Sequence, residues 1–223
     1  MKSGSLVRVV WAMSFVLPVA AAVTGAPGTA SACGTAVYRE IDTSAQLVAQ
    51  AEQALSEGQF NKAAAKAVQA YPALKIVKPG QVPLADRALR IMALASVRTD
   101  GSVNVGGFKG RTAGDRATNL EWSIDALRGL NAKRANNPSY QTDLGEALAK
   151  VPAYRAEAVK LLGELAAKDL LTSAEGYAAL ARLRAENGDN TARDEAVKRC
   201  EAMSKTPRLC AVPAGAVAVT GQT

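Results

Sequence analysis

The sequence predicts an all-α fold in which about four antiparallel helix pairs stack into an α-α superhelix. Apolar residues recur at helical spacing from Ser44 onward, and clusters of Gly, Pro and Asn interrupt this pattern. No segment shows the sustained alternation of apolar and polar residues that marks a half-buried strand. Alanine and leucine dominate, whereas aromatic residues make up 4% of the chain. This composition favours closely packed helices over strands.

The first 32 residues have the layout of a secretory signal peptide. Lys2 and Arg8 form a positive region, an apolar run follows from Val9 to Val23, and Ala30-Ser31-Ala32 resembles a cleavage site. The apolar run is shorter than the roughly 20 residues that span a bilayer, so cleavage is favoured over a membrane anchor. Cleavage would leave 191 residues and lower the net charge from +7 to +5. We therefore expect an exported protein that is periplasmic, attached to the outer membrane or secreted.

Eight helices in four pairs follow from the apolar stripes and the turns between them. They cover residues 43–56, 60–71, 83–98, 116–134, 139–150, 153–168, 173–186 and 191–204. Thr43 and Ser173 are suitable N-caps, and Pro83 is tolerated in a first turn. Stacking of successive pairs would bury the apolar face that one pair leaves uncovered. The predicted regions are a signal peptide over 1–32, an N-terminal tether over 33–43, the helical domain over 44–210 and a disordered tail over 211–223.

Small and apolar residues recur at fixed spacing in the first pair. They are Leu47, Ala51, Gly58, Phe60, Ala63, Ala67 and Ala70, and Pro72 ends the unit. In this pattern the pair resembles a tetratricopeptide repeat. The third and fourth pairs resemble the repeat through fewer positions, namely Leu144-Gly145, Leu148, Tyr154, Tyr177, Leu180-Ala181 and Gly188. These matches recur near the ~34-residue period of that family. The alternative is an alanine-rich helical bundle without repeats.

The resemblance implies a binding scaffold in which the first helix of each pair lines a concave groove. The family's groove positions fall on Val48, Glu52, Leu55, Thr142, Glu146, Lys150, Ala178, Arg182 and Glu186. The second pair keeps only the helix lengths of the family and contributes no position. The lysine and asparagine clamp with which some members hold a terminal carboxylate is not reproduced, so binding of free C-termini is not expected.

The chain contains three cysteines, Cys33, Cys200 and Cys210. Export would place them in an oxidising compartment, where a disulfide between Cys200 and Cys210 is the natural pairing and two free thiols are the alternative. Cys33 directly follows the proposed cleavage site, and Ala30-Ser31-Ala32-Cys33 resembles a bacterial lipobox. Ala30 replaces the usual large aliphatic residue and the apolar region ends well upstream, so the alternatives are a lipoprotein acylated at Cys33 and a soluble periplasmic or secreted protein.

Several classes of chemistry lack their usual residues in this sequence. Without any histidine there is no Ser-His-Asp or Cys-His nucleophile, and zinc lacks its commonest nitrogen ligand. The cysteines form no C-x-x-C pair, so we expect no metal site and no cofactor. No basic stripe interleaved with aromatic residues is present, so nucleic acid is not an expected partner.

A glycine-rich insert over residues 101–115 separates the two helices of the second pair. It differs from a phosphate-binding loop because Lys109 precedes Gly110 instead of a Ser or Thr, and no apolar strand comes before it. The insert is either a mobile connector or a binding loop in which Phe108, Lys109 and Arg111 contact a partner. Trp122 lies on an apolar helical face and is expected to pack in the core.

Two carboxylate pairs, Asp143 with Glu146 and Glu157 with Glu164, could in principle serve a hydrolase. Such enzymes need two carboxylates that face each other across a cleft, whereas we expect these acids to lie on solvated helix faces beside Lys and Arg. The sequence therefore favours a non-enzymatic scaffold in the cell envelope whose partner is another protein, a peptide or an envelope polymer. The alternatives are a small hydrolase or lyase and a structural outer-membrane lipoprotein that touches the membrane only through an N-terminal lipid.

Overall fold

The computed structural model describes residues 42–212. The predicted signal peptide, most of the tether with Cys33, and most of the tail over 211–223 lie outside the described residues. Within them the chain is all-α, as the sequence predicts, and no strand forms. Nine α-helices follow one another there: α1 (Ser44–Ser56), α2 (Phe60–Ala70), α3 (Pro83–Arg98), α4 (Ala113–Lys133), α5 (Pro138–Leu148), α6 (Arg155–Ala167), α7 (Ala174–Glu186), α8 (Asn190–Met203) and α9 (Pro207–Cys210).

The eight predicted helices correspond to α1–α8, and their ends differ from the prediction by at most three residues. The sequence did not predict α9 or the short 3₁₀ turns over Leu74–Ile76 and Pro152–Tyr154. Ser173 caps α7 as expected, since its hydroxyl accepts a hydrogen bond from the Gly176 N–H at 3.0 Å. Thr43 occupies the N-cap position of α1, but its side chain makes no capping hydrogen bond.

Helices that follow each other in the sequence pack against each other throughout α1–α8. In addition, the first helices of the pairs pack in a row, α1 on α3, α3 on α5 and α5 on α7. Small residues make these contacts close. A Cβ at Gly145 would lie 2.5 Å from Leu162 Cδ2, and a Cβ at Gly176 would lie 2.7 Å from Thr142 Cγ2. Bulkier side chains at these two glycines would force α5 away from α6 and α7.

The core runs along the stack between the first and second helices of the pairs. Its largest fully buried aliphatic side chains include Leu74, Leu89, Met92, Leu127, Leu148 and Leu162. In α1 and α2 the core consists mainly of alanine, because Ala51, Ala63 and Ala67 are completely buried and Val48 is the only larger buried side chain of these two helices. Alanine at these positions allows the two helices to approach closely.

The glycine-rich insert is packed against the helices. Val103 and Phe108 are buried, and the Phe108 ring meets Trp122 of α4 edge to face with 4.6 Å between the ring centres. The side-chain amide of Asn119, which is also buried, donates to the carbonyls of Gly101 and Lys109 at 2.8 Å. Since Phe108 lies in the interior, it is not available to a partner as the binding-loop interpretation requires.

At the end of the domain Cys200 and Cys210 lie at disulfide distance, with their Cα atoms 5.7 Å apart. Both residues are buried, and the bridge ties α9 to the last turn of α8. Because α9 also packs on α7, the bridge holds the end of the described chain against the fourth helix pair.

Candidate functional site

A cleft of about 340 Å³ opens between the first helices of the pairs. We call it the inner cleft. Its walls come from α1, α3 and α5, and Thr172 and Ser173 close it just before α7. The α3 residues that line it are Arg87, Arg90, Ile91, Leu94 and Arg98, which recur at helical spacing and therefore share one face. The first three helix pairs and the residues that precede α7 thus contribute to the inner cleft.

The outer part of the inner cleft holds an exposed ion pair. Arg87 donates to both carboxylate oxygens of Glu52, at 2.8 and 2.6 Å. The two side chains are 49% and 42% exposed, so solvent and salt screen their attraction. A charged group of a partner can replace either member of such a pair at little cost in free energy.

Deeper in the inner cleft the guanidinium of Arg90 bridges to Asp143 of α5. It donates to the two carboxylate oxygens of Asp143 at 2.5 and 3.2 Å, and it also lies over the ring of Tyr140, 5.2 Å from the ring centre. Arg134 lies against the same ring at 5.4 Å. Tyr140 therefore holds the Arg90 guanidinium in place through a cation–π contact as well as through the packing of α5.

The innermost charges form a triad of Arg98, Glu146 and the partly exposed Glu175. Arg98 donates to both oxygens of Glu146 at 3.0 and 3.2 Å, and its Nη1 lies 2.9 Å from Glu175 Oε1 at the start of α7. The Arg98 side chain is 12% exposed and that of Glu146 is 3% exposed. This triad therefore joins α3, α5 and α7 from inside the domain.

Burial controls the protonation of the two inner carboxyl groups. It raises the pKa of Asp143 above its ordinary value, and the hydrogen bonds and charge of Arg90 oppose this rise. Burial raises the pKa of Glu146 in the same way, and Arg98 opposes it. The expectation that these two acids are solvated is wrong, because Asp143 and Glu146 are each only 2% exposed. Glu157 and Glu164 are exposed as expected.

The chemistry available at the inner cleft is recognition by charge and hydrogen bonding. Glu52 and Asp143 both line it, and the two oxygens of each carboxylate accept from an arginine. The hydroxyl-bearing residues Ser56, Ser139 and Ser173 lie around the rim. Within residues 42–212, no group of three His, Cys, Asp or Glu side chains is placed to hold a metal ion.

The nine predicted groove residues occupy different environments. Glu52 and Leu55 line the inner cleft. Four side chains lie in the interior and are not available to a partner at the surface, namely Val48, Thr142, Glu146 and Ala178. The other three are partly exposed. Lys150 pairs with Asp100 at 2.6 Å, Glu186 pairs with Arg155 at 3.2 Å, and Arg182 donates to the Ala178 carbonyl at 3.2 Å.

The sequence reasoning missed the arginines of the second pair. No residue of α3 was predicted to line the groove, whereas Arg87, Arg90 and Arg98 supply the cations of the inner cleft. Two signals were present in the sequence. The three arginines lie on one face of α3, and Asp143 and Glu146 are spaced three residues apart on α5, as complementary charges on two neighbouring helices require.

Comparison with known proteins does not assign this chain to a family. No protein-family model, no curated protein and no solved structure matches it. In the part of the chain that the structure describes, no helix is both long and apolar enough to cross a membrane. The functional proposal therefore depends on the geometry of the inner cleft and on the order in which the helices pack.

Proposed function

We propose that this protein is a non-enzymatic scaffold of the tetratricopeptide type that binds a partner protein or peptide in the inner cleft. One observation carries the proposal: the first helices of successive pairs pack in a row, and the cleft runs across that row. A shared face of this kind is how stacked helical repeats present an extended binding surface. We infer that the stack is a superhelix with this face on its concave side.

The charge arrangement of the inner cleft supports binding over catalysis. A general acid or base must be free to exchange a proton with the substrate, whereas Arg90 occupies both oxygens of Asp143. The exposed pair of Arg87 with Glu52 suits a partner segment that carries both signs of charge. Catalysis by these carboxylates, the alternative function, would require Asp143 to leave its arginine.

The proposal places the protein in the cell envelope after export. The disulfide-distance pair Cys200 and Cys210 supports this location, because disulfides persist in oxidising compartments. The signal-like sequence over residues 1–32 supports it independently. Attachment to the outer membrane would depend on lipidation of Cys33.

Site-specific photocrosslinking in intact source cells tests the proposed function. p-Benzoylphenylalanine at Ser56, an exposed residue on the rim of the inner cleft, should yield a discrete adduct with one partner. The same probe at Ala65, an exposed residue of α2 that does not line the cleft, should not yield that adduct. Equal adducts from both positions, or none from Ser56, would refute binding in the cleft.

A matched pair of arginine variants adds specificity to this experiment. Arg87→Gln should abolish the Ser56 adduct, because it removes an exposed guanidinium of the inner cleft. Arg155→Gln is the control, since Arg155 is 44% exposed and ion-paired but lies outside the cleft. If both variants reduce the adduct equally, the effect comes from overall charge and not from the cleft.

A further inference from the structure

The second helices of the pairs form another row, and side chains close the first two gaps in that row. Between α2 and α4 the gap is closed by the insert, where Phe108 packs on Trp122 and Gly106 touches Val68. Between α4 and α6 it is closed by Tyr154, whose ring lies 4.8 Å from the Arg128 guanidinium.

Among the described residues 42–212, no side chain closes the third gap in this row, between α6 and α8. It forms a groove of about 710 Å³, which we call the outer groove, and α7 provides its floor through Tyr177 and Leu180. Small residues of α6 and α8 form its walls, including Gly163, Ala166 and Ala196. The α8 residues that line it run from Ala192 to Ala202, so the outer groove is about 15 Å long at 1.5 Å per helical residue.

One end of the outer groove carries an arginine with unused donors. Arg184 of α7 extends toward α6, and its Nη2 lies 3.2 Å from the position that a Cβ at Gly163 would occupy. Within residues 42–212, the buried Nε–H of Arg184 has no acceptor, and the hydrogen bond of its Nη1 to Asp189 is long at 3.4 Å. The Arg184 side chain lines the outer groove and is 30% exposed, so the outer part of its guanidinium can donate to the carboxylate of an incoming acid.

At the other end, beside the Arg199 that lines the outer groove, two large apolar side chains are exposed. Leu170 and Met203 are 41% and 47% exposed, which is unusual among the large apolar residues of the described chain. They lie at the same end because Asp169, next to Leu170, pairs with Arg199 of the last turns of α8 at 3.2 Å. This end is therefore suited to a large aliphatic side chain, whereas the Arg184 end is suited to an anion.

We propose that the outer groove binds an amphipathic helix of a partner protein. The helix would place an Asp or Glu on Arg184 and large aliphatic residues near Leu170 and Met203, about three turns away. Its remaining contact residues would pack on the alanines of α6 and α8, where the small side chains permit a close helix–helix distance. This second surface lies on the outer row of helices and does not depend on binding in the inner cleft.

Display selection tests this inference with a defined probe. A random library of 16-residue peptides is selected on the purified full chain, and the dissociation constants of enriched, fluorescein-labelled peptides are measured by anisotropy. We expect peptides with aliphatic residues at helical spacing and one Asp or Glu about ten residues from them. Ala202→Trp and Ala167→Trp, at exposed positions that line the outer groove, should each raise Kd at least tenfold.

Matched variants identify the contact with Arg184. Arg184→Gln should raise Kd at least tenfold. In that variant, replacing the acidic residue of the peptide by its amide should raise Kd little further, because the guanidinium that it contacts is already absent. Arg193→Gln and Ala65→Trp, which change similar residues outside the outer groove, should alter Kd less than twofold. Circular dichroism checks that each variant keeps its helical content.

Three outcomes would overturn the inference. In the first, Ala202→Trp weakens none of the selected peptides. In the second, acidic peptides bind Arg184→Gln as tightly as they bind the unchanged chain. The third is self-association of the chain that Ala202→Trp abolishes, which would assign the outer groove to a second copy. The first outcome includes peptides that Arg87→Gln weakens but Ala202→Trp does not, and such peptides would support the inner cleft instead.

Discussion

Replacement of Arg98 by methionine should destabilise the domain far more than the same replacement of Arg87 at the surface. The Arg98 side chain is 12% exposed and neutralises Glu146, which is buried beneath it. Methionine keeps much of the aliphatic packing of the arginine stem but leaves the Glu146 carboxylate buried without its cation. Breaking one partner of a buried ion pair typically costs about 3–5 kcal/mol of unfolding free energy.

Urea unfolding followed by circular dichroism at 222 nm measures this loss. With a denaturant slope of about 2 kcal/mol per molar urea, the midpoint should fall by about 1.5–2.5 M. Arg87→Met is the matched control, because its pair with Glu52 is 49% and 42% exposed. It should cost less than about 1 kcal/mol. The double variant Arg98→Met/Glu146→Met should recover most of the stability, since an apolar pair of similar volume replaces the buried charges.

The pH dependence of Arg98→Met provides an independent check. Burial raises the pKa of Glu146 and Arg98 opposes that rise, so removing Arg98 should raise this pKa further. A raised pKa in the folded state favours folding while the group is protonated, and this contribution is lost as the pH rises through the folded pKa. The stability deficit of Arg98→Met should therefore be largest at neutral pH and should shrink as the pH falls toward 4.5, the ordinary value for glutamate.

Two results would refute this reasoning. A loss equal to that of Arg87→Met would mean that Arg98 and Glu146 interact as a solvated pair. A deficit that grows as the pH falls would mean that Glu146 is held ionised, with its pKa lowered instead of raised.

The insert, the disulfide-distance pair and the N-terminus of α4 provide further tests. Asn119→Ala removes the hydrogen bonds to the carbonyls of the insert and should lower the unfolding free energy by about 2–4 kcal/mol in urea, and an unchanged midpoint would contradict this. Replacing Cys200 and Cys210 by serine should cost about 3 kcal/mol in thermal unfolding, and reduction of the unchanged protein should match it. Hydrogen bonding from the Thr112 backbone N–H lowers the pKa of Asp115, so Asp115 stabilises the fold above its ordinary pKa of 3.8 and loses this effect as the pH falls. The melting temperature of Asp115→Asn should accordingly lie below that of the unchanged protein near pH 7 and equal it near pH 2.

Local sequence patterns were sufficient to predict the helices, but they did not predict which residues those helices expose on their surfaces. The 3.6-residue period predicts α1–α8 because the spacing of apolar residues, the caps and the turns are all properties of neighbouring residues. In α5 the period does not identify the exposed face, because a continuous run of residues from Tyr140 to Leu148 includes only one that is not buried. Because Asp143 and Glu146 are charged, we expected them to face solvent, whereas both are buried.

The insert shows the same limit for a loop. Its glycines indicated a break between two helices, and α3 and α4 do end and begin on either side of it. The burial of Phe108 depends on Trp122, and the path of the backbone depends on Asn119, which lies in the following helix. Hydrogen bonds across ten or more residues leave no periodic signal in a sequence.

The sequence by itself determined the all-α class, the order and limits of the main helices, and the pairing of Cys200 with Cys210 as the favoured option. Those features follow from spacing along the chain. Only the tertiary structure decided that Arg98 neutralises Glu146 across 48 residues and that α6, α7 and α8 form a groove between them. The physical reason is that buried charges and grooves depend on which helix faces meet in space, and that depends on the packing of the whole stack.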